Sequence, residues 1–352
     1  MTLIILISRM PIRGLPLQAL KGFCQERGFD LDWFPGIGPV DIGKFVKLDR
    51  PWYYDAYAEL MRGSRFIKSY FLDTAPETDD RPFPSRFLRW LRVADYVRSS
   101  GGSTNRFLAS GELVAAAGLA IAIIAGLLLI GGAALGLRAE PSTPSACRPS
   151  RARGMLFFAC VGCGYLLAEI GFLDALNALF ASPSLAIVTA LGGMLVFSGL
   201  GGLATTRLGT RRLPIAAAAS SAALLAAAFA LPLLRGPVLA FPLSARILIA
   251  LALIAVPGIV LGVPFPLALR EQGGTGDRAL AWAANGSASV IASAAAPLLA
   301  AAAGIRSLLV VSAAVYAAAI ALAILPRAQA RALHDAAEGR GETFSRGRDG
   351  CA

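Results

Sequence analysis

Residues 155–180 read MLFFACVGCGYLLAEIGFLDALNALF, with Glu169 inside an apolar run and Asp174 near its end. At 1.5 Å of rise per residue the run is long enough to cross the ~30 Å hydrocarbon core of a bilayer as a helix. Between Arg153 and Arg207 there is no Lys or Arg, so neither acid has a basic partner in its own segment or the next. A carboxylate at membrane depth costs roughly 2.5–3.5 kcal/mol on insertion scales, which requires it to face the protein interior, to be protonated or to bind something. Glu169 is therefore the first candidate functional residue. The structural alternative is a neutral Glu169 bonded to a neighbouring helix, for instance through Asn285.

Composition agrees with a membrane setting. The chain has 352 residues, of which 56% are hydrophobic and 16% charged, and a mean hydropathy of +0.63. That balance is too apolar for a soluble globular chain of this length. The formal charge of +11 does not point to nucleic acid, because the basic residues sit in short loops between apolar runs and in the two terminal regions. Membrane topology accounts for that placement. The five cysteines, Cys24, Cys147, Cys160, Cys163 and Cys351, are scattered and suggest no disulfide framework. Cys160 and Cys163 form a C-x-x-C without a second Cys or His pair nearby, which weighs against a metal site. The only histidine, His334, lies in the polar tail, so neither a His-based triad nor a multi-histidine metal site can be built.

Four regions follow along the chain. Residues 1–75 read as a small α/β piece: TLIILIS at residues 2–8 fits a buried strand, residues 17–27 a helix with Leu17, Leu20 and Phe23 on one side, and residues 29–34 an extended segment. Residues 51–74 alternate aromatic and polar positions and predict two short helices. Residues 76–111 form a junction, dense in charge, proline and aromatics, with Phe87 and Trp90 as interfacial anchors and Arg86, Arg89 and Arg92 near headgroups. Its adjacent acids Asp79 and Asp80 fit a solvated turn better than a site for a cation. Residues 112–325 hold seven apolar spans, near 112–137, 155–180, 184–206, 213–234, 245–269, 280–303 and 307–325. The tail, residues 326–352, is rich in Arg, Glu and Gly and is expected to be disordered. The fold class is thus mainly α, a polytopic helical membrane bundle behind a small α/β remnant.

In a seven-span chain Arg138, Arg148, Arg151, Arg153, Arg207, Arg211, Arg212, Arg270, Arg278, Arg327 and Arg331 share one side, against Arg235, Arg246, Arg306 and the basic residues before the first span. The positive-inside rule then puts the front of the chain outside the cytoplasm and the tail inside.

Two spans carry unusual residues. The run RILIALALIAVPGIVLGVPFPLALR holds Pro257, Pro264 and Pro266 with Gly258-x-x-x-Gly262. The prolines free backbone carbonyls that neighbouring helices, water or a ligand must satisfy, and the glycines admit a close helix. In LAWAANGSASVIASAAAPLLA, Asn285, Ser289 and Ser293 recur at i, i+4 and i+8. This stripe serves either close packing, with interhelical hydrogen bonds of ~0.6–2 kcal/mol each, or the lining of a pocket shared with Glu169. Gly199, Gly201 and Gly202 follow no strand and precede no P-loop lysine, so helix packing explains them better than phosphate binding.

Several of these pieces share one resemblance. TDDRPFPSRFLRW at residues 78–90 resembles the junction after the catalytic domain of bacterial membrane-fused spermidine synthase-like proteins. GVPFPLALR at residues 262–270, AWAANGSASVIAS at 281–293 and YLLAEIGFLD at 165–174 resemble their C-terminal membrane block. ISRMPIRGLPLQALKGFCQERGFDLDWFPG, near the start, resembles the last strand and helix of their aminopropyltransferase-like domain. The resemblance covers nearly the whole chain to about residue 325. It implies a membrane block, a Rossmann-like methyltransferase-type domain that binds decarboxylated S-adenosylmethionine or a relative, and a second membrane block. It also implies that the soluble domain is cytoplasmic, against the arginine count.

The chain departs from that architecture in one decisive respect: the Gly-rich nucleotide loop and the catalytic acids have no counterpart here. PGIG at residues 35–38 lacks the strand, spacing and downstream acid of a dinucleotide fingerprint. No catalytic residue is carried over and no cofactor is expected in this chain. The expected identity is the C-terminal membrane part of a spermidine synthase-like protein of the cell (inner) membrane, a truncated or split product. It would anchor a catalytic partner or handle a polyamine-like cation, with Glu169 as counter-charge, Asn285, Ser289 and Ser293 as polar lining, and Asp174 as a further ligand-binding residue. Two other readings stand beside it: one half of an aminopropyltransferase completed by an upstream methyltransferase-like polypeptide, and an independent small-molecule transporter.

Overall fold

The computed structural model describes residues 6, 8–9, 12–34, 36–38, 42–45, 52–62, 72–73, 76–83, 86–99, 110–136, 151–272 and 274–338. The described residues fall into two compact units, one of residues 1–74 and 87–99, the other of residues 75–86 and 100–352.

In the first unit, helix α1 (Leu15–Arg27) starts on a proline turn and stops at Gly28, whose left-handed backbone (φ 68°) lets its own amide bond Gln25. The next amide, Phe29 N, donates to the Cys24 carbonyl at 2.8 Å. The extended segment at 29–34 carries no regular structure, and Trp33 approaches Tyr57 of α2 (Trp52–Arg62) at 6.5 Å between ring centroids. Of the two helices expected in 51–74, α2 is one; residues 63–71 lie outside the described residues. The strand expected at residues 2–8 also lies mostly outside them. Among the described residues the unit shows helix, loop and one isolated bridge, Leu72 with Leu88, followed by α3 (Val93–Ser99).

The second unit is a bundle: α4 (Ser110–Gly136), α5 (Arg151–Phe180), α6 (Pro183–Ala204), α7 (Leu213–Leu239), α8 (Leu243–Leu261) with the short α9 (Pro264–Leu269), α10 (Thr275–Ala303) and α11 (Ile305–Glu338). Among the described residues seven helices, with α8 and α9 counted as one span, are long and apolar enough to cross a membrane, and the chain is a multi-pass membrane protein. They coincide with the seven spans read from hydropathy. The last continues as helix to Glu338, through residues of the expected disordered tail; residues 339–352 lie outside the described ones. The sequence AQARALHDAAE, almost free of glycine and β-branched residues, favours that continuation.

The bundle is held by small residues. α6 and α8 run side by side so closely that a Cβ at Gly201 would strike the Ile259 carbonyl oxygen, and one at Gly262 the Ser198 carbonyl oxygen. The partner of the Gly258-x-x-x-Gly262 face is therefore α6, and Gly201 answers it from the other side. α5 meets α11 at Gly164, where the Tyr316 ring occupies the space a side chain would take and the Ser312 hydroxyl donates to the Gly164 carbonyl. α7 joins α11 through Ser221, whose hydroxyl donates to the Ala313 carbonyl at 2.8 Å. Outward faces carry Leu128, Val188, Phe229, Leu233, Val256 and Trp282, all exposed apolar side chains suited to lipid.

The two ends of the bundle carry different charges. Arg151, Arg153, Arg207, Arg211, Arg212, Arg270 and Arg278 flank the helix ends on one side, which we call the arginine-rich end. Arg235, Arg246 and Arg306 lie at the other, the acid-bearing end, where residues 76–83 with Asp79 and Asp80 pack. There Phe83 packs against a cluster of Leu167, Ala292, Ala296, Ala300 and Leu308. Asp80 caps the last span: its carbonyl accepts the Ile305 amide at 2.7 Å and its carboxylate the Arg306 amide at 2.8 Å. Gly304 is held at φ 92°, and a Cβ there would strike the Asp80 carboxylate, so only glycine fits. Asp79, largely exposed, faces Arg235 at 3.3 Å. The junction acids are thus not both solvated; one of them closes a helix that begins more than two hundred residues later.

Candidate functional site

Helix α5 carries the candidate carboxyl groups because its whole length is apolar and it packs on α6, α10 and α11, which leaves little of it facing lipid. Glu169 is 8% exposed and sits among the buried residues of the bundle. Among the described residues no basic side chain pairs with it, and no hydrogen bond joins it to Asn285. Asp174, half-buried, stands a turn and a half further toward the acid-bearing end and likewise has no ion-pair partner among the described residues.

The polar stripe of α10 divides. Asn285 and Ser289 face Gly162 of α5: a Cβ at that glycine would lie 2.8 Å from Asn285 Oδ1 and 2.8 Å from Ser289 Oγ. Gly162 and Glu169 are seven residues apart, hence on one face of α5 and roughly 10 Å apart along its axis. Asn285 and Ser289 therefore pack closely against α5 at the level of Gly162. α5 and α10 run in the same direction, since Arg151 pairs with Asp277 at 2.9 Å and Gly162 meets Asn285 and Ser289. Leu167 in turn packs with Ala292 and Ala296, which makes Ser293 the stripe member nearest the level of Glu169. The Ser293 hydroxyl donates back to the Val290 carbonyl of its own helix at 2.9 Å.

Two phenols and a hydroxyl extend the polar groups of this region, linked to Glu169 through Tyr165. Tyr165, one turn before it on the same face, lies within electrostatic range of the Glu169 carboxyl, and its hydroxyl shares a hydrogen bond of 3.1 Å with Ser198 of α6. Tyr316 of α11 is fully buried, lies within electrostatic range of Tyr165, and its hydroxyl has no partner among the described residues. A buried hydroxyl without a partner costs free energy, on the order of 1–3 kcal/mol. Tyr165, Glu169, Ser198 and Tyr316 therefore form a small polar interior in an otherwise apolar bundle. The i, i+4 spacing of Tyr165 and Glu169 was visible in the sequence; Tyr316 and Ser198, from other helices, were not.

The broken helix lies beside this interior. Pro264 has no N–H to donate to the Val260 carbonyl four residues earlier; that carbonyl accepts the Val263 amide at 3.3 Å and lies 3.1 Å from the Ser220 hydroxyl of α7, which shares its hydrogen with the Ala216 carbonyl of its own helix at 3.0 Å. The chain turns at Gly262 and Val263 and resumes as α9, with Pro264 at its first position and Pro266 within its first turn, where prolines fit. Pro257 and Gly258 are buried inside α8, Gly258 against Phe197 of α6. Phe265 of α9 stacks edge-on between Phe158 of α5, at 5.4 Å, and Trp282 of α10, at 4.7 Å. The five residues Pro257, Gly258, Gly262, Pro264 and Pro266 thus form a packed break. Cys160 and Cys163 are free thiols, each packed against an apolar cluster. Among the described residues no group of three or more His, Cys, Asp or Glu side chains is placed to hold a metal ion.

No protein-family model matches the chain, and no curated protein or solved structure matches it.

Proposed function

We propose that this protein is a membrane-embedded binding component, related to the C-terminal membrane block of spermidine synthase-like proteins, whose bundle holds a polyamine-like cation with Glu169 as the counter-charge. The observation that carries the reading is the Glu169 carboxyl, 8% exposed in a membrane bundle with no basic partner among the described residues. Such a group is retained against a cost of a few kcal/mol, and a bound cation offsets that cost. The Tyr165 and Ser198 hydroxyls beside it supply neutral oxygen acceptors for an ammonium group. Ser293 stands at nearly the same level, and Asp174 nearer the end of α5.

The test is binding of radiolabelled spermidine to the full chain in proteoliposomes. Glu169→Gln, which keeps shape and hydrogen bonding but removes the charge, is expected to lower affinity by about tenfold or more, the factor that 1.4 kcal/mol represents. Tyr165→Phe is expected to have a smaller effect. Binding by the Gln variant equal to that of the native protein would rule out the counter-charge role.

A further inference from the structure

A cavity of about 220 Å³ opens at the acid-bearing end of the bundle, between the last turns of α5, the second half of α7, the middle of α8 and the first turn of α11. Its walls are apolar, with Leu176, Leu179, Leu231, Val238, Leu253 and Leu309 among them, and three alanines on α5 and α7 leave the space that longer side chains would fill. Along α7 the lining runs from Val238 back to Ala228, ten residues or about 15 Å into the membrane-spanning part. None of Glu169, Asp174, Asn285, Ser289 or Ser293 lines it, so it is distinct from the interior already described.

The rim holds Asp79, Asp80, Arg235 and Arg306. Three of these are accounted for inside the protein. The Asp80 carboxylate accepts the Arg306 amide and sits at the positive end of α11, and Asp79 faces Arg235. The Arg306 guanidinium remains. It forms no ion pair with the described residues and lies instead over the Phe229 ring, 5.3 Å from its centroid. Phe229 is 55% exposed on the outward face of α7. The remaining positive charge of the rim is therefore held against a lipid-facing ring, beside the mouth of an apolar cavity.

We infer that this cavity binds an anionic membrane lipid, with one acyl chain in the cavity and the phosphate on Arg306. A volume below the ~300–1,000 Å³ usual for drug-sized ligands suits a single aliphatic chain, not both chains of a lipid. Guanidinium is the side chain best matched to a phosphate, which it engages through parallel N–H donors. The short spacing between Arg306 and the lipid-facing Phe229 places the headgroup where the bilayer already supplies it.

The inference is tested with the full chain in phosphatidylcholine vesicles doped with a phosphatidylglycerol that carries a photoactivatable group in its acyl chain. The labelled residues are mapped by mass spectrometry, with the same photoactivatable chain on phosphatidylcholine as the matched control. Phosphatidylglycerol is expected to label Leu176, Leu231 or Leu309 about tenfold more than the control. Arg306→Gln should abolish that preference while labelling of the outward-facing Leu128 and Val188 is unchanged, which also shows that the variant has folded. Ala178→Phe, which fills the cavity and leaves Arg306 in place, should remove the cavity labels for both lipids. Equal labelling by the two lipids would reduce the cavity to passive solvation by chains and overturn the inference. So would loss of the labels on adding decanoate, which would assign the cavity to a free carboxylate amphiphile. These readouts involve neither spermidine nor Glu169, so their failure leaves the cation reading untouched.

Discussion

The two ends of the bundle place arginines beside helix termini and reach opposite results. At the arginine-rich end Arg151 pairs with Asp277 at 2.9 Å, and Arg270 donates to the Thr205 carbonyl at 2.7 Å where α6 gives out. The gap left between Arg151, Phe158, Asp277 and Leu280 is about 10 Å³, at the lower limit for a single water. At the acid-bearing end Arg246 behaves in the same way, bonding the Leu239 and Phe241 carbonyls at 2.7 and 2.8 Å. Yet a 220 Å³ cavity stands open beside it. The charges do not make the difference. At the closed end, glycines bring α6 and α8 into backbone contact and aromatic rings of α5, α9 and α10 fill the remaining space. At the open end, alanines and Pro232 on α5 and α7 face Leu253 of α8 and Leu309 of α11 across a space that these side chains do not fill. Small residues close a bundle where backbones can meet and open it where they cannot.

That contrast can be broken at the closed end first. Gly201→Leu places a side chain against the Ile259 carbonyl, a backbone obstacle that no rotamer avoids. Overpacking of a core commonly costs about 1–3 kcal/mol, and a clash with main chain lies at or above the top of that range. The detergent-purified variant is expected to lose its monodisperse size-exclusion peak and to unfold at a markedly lower temperature. A native-like elution and melting profile would show that the α6–α8 contact is not what closes this end.

A smaller effect is expected at the open end. Asp80→Ala removes the cap of α11, a loss of about 1 kcal/mol by the usual cost of a missing N-cap. Asp80→Asn retains most of it, because Asn caps about as well as Asp. Limited proteolysis between residues 76 and 86 reads this directly: faster cleavage in the Ala variant and near-native cleavage in the Asn variant are expected. Equal cleavage in the native chain and both variants would mean that Phe83, not the cap, holds the junction on the bundle.

The smallest effect belongs to the ion pair of the closed end. The Arg151 and Asp277 side chains are 39% and 17% exposed, and pairs in such positions contribute about 0.2–1 kcal/mol and weaken with salt. Arg151→Ala should lower thermal stability slightly at low ionic strength and not measurably at high. A large, salt-independent loss would assign Arg151 a packing role over Phe158 instead.

How legible this molecule is from its sequence depends on how local each signal is. The seven spans follow from windows of hydropathy and helix length, both properties of consecutive residues, and they stand where the sequence put them. Glu169 as a buried acid follows equally directly, since a charged group in an apolar helix has few places to go. Its surroundings were less legible: Asn285 packs on Gly162 two turns away, and the groups beside Glu169 include Tyr165 and Ser198. The i, i+4, i+8 stripe defines a face of α10 without naming the helix opposite or its register.

By itself, then, the sequence determined a multi-pass helical membrane chain, the positions of its helices, a broken helix somewhere between Pro257 and Pro266, and the presence of an acid within the bundle. Tertiary structure alone decided that Gly201 answers Gly262, that Ser220 of another helix reaches the carbonyl freed by Pro264, that Asp80 caps a helix far along the chain, and that a cavity opens beside Arg306. The physical reason is the same in each case. Hydropathy and helix propensity are sums over neighbours in sequence, whereas close approach, a borrowed hydrogen bond and an unfilled volume each depend on which distant helix arrives, and at what height.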